Sequence, residues 1–185
     1  MRGETWCVEI FSRHIARHIH AMGKHVLWID EPLVGEPFDF SIPRDIVGAL
    51  RTIGHNSKGY DLVVLPNLQK LGRDSEASRL HRNKMVSEWL PANRQTLGNT
   101  ALLITWGTNE EDRGPKALRF FARVTLGLDG ERDGVVIKTL KSNLDAVQGS
   151  ACYFKLDSHR IVGYESPPVP GVYPTRFERI LQSVE

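Results

Sequence analysis

Two cysteines in 185 residues are too few for a disulfide framework. Cys7 and Cys152 stand far apart in apolar surroundings and read as reduced, buried thiols, the pattern of a cytoplasmic protein. No apolar run is longer than a strand, so no membrane partner is expected. Arg2, Glu4 and Glu9 interrupt the opening residues, which argues against a secretory leader. Neither charge is in clear excess: 24 Lys and Arg against 22 Asp and Glu leave a net charge of +2, with a pI near 8.6. That balance permits nucleic acid as a partner without demanding it. Internal repeats and low-complexity tracts are missing, which excludes a solenoid or a linker-dominated chain. No HExxH pair and no Gly-rich loop ending in Lys-Ser or Lys-Thr occurs, so two common routes to metal and phosphate binding are closed.

What remains is an ordinary globular composition, 41% hydrophobic and 25% charged, enough for one α/β domain with a core and too short for two full ones. Residues 5–11, TWCVEIF, alternate and are rich in strand formers. A basic helix is expected from Ser12, as N-cap, to Met22, with Gly23 as its stop. HVLWID (25–30), YDLVVL (60–65) and ALLITW (101–106) are short apolar runs of the buried parallel kind. EPLVGEPFDFSIP reads as a loop. Pro43 opens a helix with Ile46, Val47, Leu50 and Ile53 on one face, ending at Gly54. A second helix carries Leu80, Met85, Trp89 and Leu90, and Pro91 kinks or restarts it. Pro115 opens a short helix, PKALRFFA. RVTLGL (123–128), VVIKTLK (135–141), ACYFKL (151–156) and RIVGY (160–164) are separated by turn-like stretches and read as an antiparallel meander. Alternating β and α followed by hairpins predicts a doubly wound, mostly parallel sheet with antiparallel strands added on one edge.

Five segments, in order, resemble the RecA family of recombinases. GETWCVEIF (3–11) resembles the strand that feeds the phosphate-binding loop, and GKHVLWIDEP (23–32) the strand bearing a catalytic glutamate. NTALLITWG (99–107) resembles the strand entering the second DNA loop. GPKALRFFARVTLGLDG (114–130) and VVIKTLKSN (135–143) resemble the segments that follow it. The resemblance implies a RecA-like core over residues 1–165; residues 166–185 read, from their own pattern, as a Pro-rich tail with a short amphipathic helix.

Departures from that family bear on chemistry. The preferred alignment deletes the phosphate-binding loop after Phe11. An alternative sets Gly3-Glu4-Thr5 on the loop's Gly-Lys-Thr end, which replaces the lysine with an acid. Pro66 stands for the metal-holding aspartate, and Pro32 for the catalytic glutamate, with Glu31 adjacent. Lys141 survives where the family reaches a neighbouring subunit's nucleotide. Phosphoryl transfer rests on positioning and charge, so the resemblance implies a protein without ATPase activity and without a cofactor.

The basic residues are candidate phosphate contacts: Arg13, Arg17 and Lys24 in the first segment, Arg73, Arg79, Arg82 and Lys84 where the family has its first DNA loop, and Arg113 and Lys116 in the second. A solvated surface is the favoured reading of the first group, and a helix surface explains the second equally well. His14 and His18, spaced i, i+4, have no evident third ligand, so no metal is expected. Trp89 and Trp106 read as core rather than base-stacking platforms. Phe177, Ile180 and Leu181 form one apolar face of the tail segment; packing on its own domain is the default reading, and docking in a partner's groove is the alternative.

The function implied is a non-catalytic accessory protein of DNA repair or recombination, binding a recombinase, a polymerase or DNA, similar to the translesion accessory protein ImuA. A protein-binding regulator like the cell-division inhibitor SulA is the second reading. A nucleotide shared at a subunit interface through Lys141 is the third.

Overall fold

The computed structural model describes residues 4–68, 76–106, 122–131, 134–142, 151–157 and 160–165. They fall into two compact units, Met1–Ala122 and Arg123–Glu185, where the sequence suggested one core running to residue 165.

The first unit opens with helix α1 (Glu4–Ala21), followed by strands β1 (Val26–Trp28) and β2 (Asp39–Phe40). Helix α2 (Ile46–Asn56), strand β3 (Leu62–Leu65), helix α3 (Glu76–Leu97) and strand β4 (Ala101–Ile104) complete it. The strands form one parallel sheet in the order β2-β1-β3-β4. Side chains alternate across it as the period of 2 requires. Val26, Trp28, Leu62 and Val64 cluster with Ala16, Ile15 and Ile19 of α1. Leu27, Ile29, Val63 and Leu65 cluster instead with Ile46, Ala49, Leu50 and Ile53 of α2 and Val86 of α3. Helices therefore lie on both faces. This double covering is why VLW and LVVL are apolar without a break, and each fully buried residue of this size contributes about 1.5–3 kcal/mol relative to exposure.

The strand expected over residues 5–11 is instead the first half of α1, and the reading of a loop deleted after Phe11 falls with it. The local alternation was a coincidence of a short window. Ser12 and Ala16 are buried one helical turn apart, and Ile19 follows on the same face, a helical spacing rather than an alternation. Ser12 is accordingly not an N-cap; its hydroxyl donates back to the Val8 carbonyl at 2.7 Å, inside the helix. The expected stop does occur: Gly23 takes φ 76, and its N–H donates to the His20 carbonyl at 2.9 Å.

Two smaller expectations also shift, in α2 and in the stretch 31–43. Helix α2 starts after Asp45 rather than at Pro43, because the Asp45 carboxylate caps it, accepting from the Gly48 N–H at 2.7 Å. It runs past Gly54 to Asn56, and Ala49 is buried where Val47 is exposed. The stretch 31–43 contains β2, which pairs with β1 through Leu27↔Asp39. Pro91 lies inside α3 without ending it.

The second unit is an antiparallel meander, β5 (Val124–Glu131), β6 (Gly134–Ser142), β7 (Ala151–Asp157) and β8 (Arg160–Glu165), in that order. It forms its own sheet, not an extension of the parallel one. Bulges interrupt the register between Thr125 and Leu126 and between Lys155 and Leu156. Val135, Val136 and Ile137 are its buried centre.

Candidate functional site

In an open parallel sheet, a crevice forms at the carboxyl ends of two neighbouring strands whose onward connections diverge. Here β1 leads outward to β2, while β3 leads the other way to β4. The switch point lies between β1 and β3. Asp30 and Glu31 follow the first strand, Pro66 and Asn67 the second.

Backbone geometry fixes this end. The Ile29 N–H donates to the Val64 carbonyl at 2.9 Å, extending the β1–β3 ladder past Trp28. Asn67 takes φ 54, the left-handed region that asparagine tolerates better than most residues. Its N–H donates to Thr105 Oγ1 at 2.9 Å, and the next N–H, of Leu68, donates to the Thr105 carbonyl at 2.8 Å. The end of β3 is thus stitched to the residue that follows β4. Asn67 Oδ1 is buried and accepts no protein hydrogen bond. On the other side the Glu31 N–H is held by Asp30 Oδ1 at 2.9 Å, and Glu31 is exposed. Helix α1 joins β1 through a short turn and packs on the sheet through Ile15, Ala16 and Ile19.

Pro66 is buried at the end of β3, as the sequence placed it. The polar residue presented there is Asn67, which the sequence reading passed over together with Thr105. A backbone donor bonding to a hydroxyl 38 positions away leaves no trace in local spacing. The one available signal was asparagine straight after a strand-ending proline, a residue suited to positive φ. Chemically, the crevice offers an amide oxygen and two carboxylates. Among the described residues, no three His, Cys, Asp or Glu side chains converge as a metal-binding group.

The basic candidates are scattered and largely engaged. Arg13 pairs with Glu9 one turn away. Arg17 grips Glu36 with two hydrogen bonds, one of them Nε to Oε2 at 2.8 Å; accepting that bond, Glu36 raises the guanidinium pKa against the opposing effect of burial. Lys24 reaches Asp61 at 3.1 Å. Asp61 also accepts from the His25 N–H at 3.0 Å, and that backbone bond, with Lys24 second, holds its carboxyl below the usual carboxylate range. Lys84 lies 3.8 Å from Glu88 on exposed α3. Arg79 and Arg82 fall within α3 and Lys141 within β6, opposite Thr125, but their side chains are outside the described residues. So are Arg73, Arg113, Lys116, Phe177, Ile180 and Leu181 altogether. His14 and His18 share one face of α1; burial first, then His18 and Arg17, lower the His14 pKa below 6.5. Trp89 and Trp106 are half-buried against the α2–α3 side of the core. Cys7 is buried and Cys152 half-buried, and no disulfide joins them. No described helix is long and apolar enough to cross a membrane.

The sequence matches no protein-family model, and no curated protein matches it.

Proposed function

We propose that the chain is a RecA-like, doubly wound protein that has lost ATP chemistry and serves DNA recombination or repair by binding another protein of that machinery. The observation that carries this reading is the end of β3. A magnesium-dependent ATPase of this layout needs a carboxylate there; this chain has buried Pro66 followed by Asn67, whose backbone is tied to Thr105. Two further points support it. Four of the five resembling segments carry strands, β1, β4, β5 and β6. Helix α1 opens at Glu4, which agrees with the alignment of Gly3-Glu4-Thr5 on the Gly-Lys-Thr end of a phosphate-binding loop and puts an acid where the lysine would be.

A protein partner is favoured over DNA because Arg13, Arg17 and Lys24 already neutralise Glu9, Glu36 and Asp61. Each phosphate contact by these residues would have to break an ion pair first. The reading is tested by sedimenting the chain with a RecA-family filament assembled on single-stranded DNA. Co-sedimentation that is lost when the recombinase is omitted supports it. Equal sedimentation with bare DNA, or none in either case, overturns it.

A further inference from the structure

Helices α2 and α3 leave a groove of about 450 Å³ on the first unit, lined by Val47, Leu50, Gly54, Met85 and Trp89. Such a volume falls within the range of sites that take several apolar side chains (about 300–1,000 Å³). Gly54 keeps the floor open beside Trp89, since a Cβ there would come within 3.6 Å of Trp89 Cζ2. The two rims differ. On α2, Arg51 and His55 are one turn apart, exposed, and in no ion pair with a described residue. On α3, the rim is Asn93 and Thr96, neutral and polar. Among the described residues, none that lines the groove is acidic.

Residues 175–185, TRFERILQSVE, complement it as a sequence. At about 100° per residue, Phe177, Ile180, Leu181 and Val184 fall on one helical stripe. Glu178 and Glu185 both fall on the flank beside Leu181, and Arg176 and Arg179 fall on the other side. An apolar stripe with acids along one edge matches an apolar groove with cations along one rim. The stretch before it, SPPVPGVYP (166–174), contains four prolines in nine residues. Such composition favours an extended, semi-rigid spacer of about 3.1 Å per residue, a reach that allows the segment to meet a second copy. We infer that the α2–α3 groove is a docking site for residues 175–185 of a second copy of this chain.

The test uses the full chain carrying Leu181→Asp, which disables its own segment, and a fluorescein-labelled peptide of residues 175–185. Saturable binding is expected. Arg51→Glu, an exposed change that leaves the core untouched, should weaken it about fivefold. A peptide with Glu178→Arg and Glu185→Arg should prefer the Arg51→Glu chain. Val47→Asp, also exposed, should abolish binding of both peptides. The unmodified chain should associate with rising concentration in sedimentation velocity, and Leu181→Asp should remain monomeric. Absent peptide binding, or binding indifferent to Arg51 and Val47, overturns the proposal. Peptide binding by a chain that is monomeric throughout overturns the second-copy occupant.

Discussion

Asn67 carries the most local information at the end of β3. Its φ of 54 costs an ordinary L-residue about 1–2 kcal/mol, a cost asparagine partly escapes and glycine escapes fully. Asn67→Ala should therefore lower stability in urea by about 1 kcal/mol, and Asn67→Gly should not, since both keep the N–H bonded to Thr105. Equal stability of the two variants would show that the backbone there is relaxed. His14 offers a pH-dependent check. Its folded-state pKa lies below 6.5, chiefly from burial. The unfolded chain then takes up protons more readily than the folded one, so stability present above 6.5 is lost as pH falls through the folded value. His14→Gln should shrink the drop in melting temperature between about pH 7.5 and 5. An unchanged drop would assign that acid sensitivity elsewhere. Neither residue's role was legible in the sequence, because long-range bonding and burial decide both. Pro66 was legible because a proline ending an apolar run is a local event.

Elements were readable in proportion to how far local pattern and tertiary demand agree. VLW, LVVL and ALLI are bounded apolar runs, and each became a parallel strand. The hairpin strands were equally plain from their turn-like separators. TWCVEIF failed because seven residues fit a period of 2, whereas the helical period emerges only on including Ser12, Ala16 and Ile19. Pro91 lies inside α3, where its cost of about 3 kcal/mol is local, and the helix continues because packing of Met85, Val86, Trp89, Leu90 and Leu97 holds both halves. Within the meander, Gly134 sits hard against β7. A Cβ there would lie 2.4 Å from the Phe154 carbonyl oxygen and 2.6 Å from the Tyr153 ring. Gly134→Ala should cost about 2–3 kcal/mol. Gly163→Ala, with nothing within 4 Å, should fall within about 0.5 kcal/mol of the parent. Thermal melts of the pair separate close packing from a general intolerance of alanine in the sheet.

At the scale of the whole molecule, the parallel sheet with helices on both faces followed expectation, and the hairpins as an extension of that sheet did not. Among the described residues they pair only with one another. Sequence order shows that strands follow one another; which edges hydrogen-bond is decided by contacts between distant segments. The proposed function depends on the carboxyl end of the parallel sheet having lost the groups that hold magnesium and phosphate. Calorimetric titration of the full chain with ATP and magnesium interrogates that end. The expected result is no saturable heat up to about 1 mM nucleotide. Saturable, magnesium-dependent binding in the micromolar range, abolished by Glu31→Gln, would contradict the reading and restore this chain to the nucleotide-using proteins.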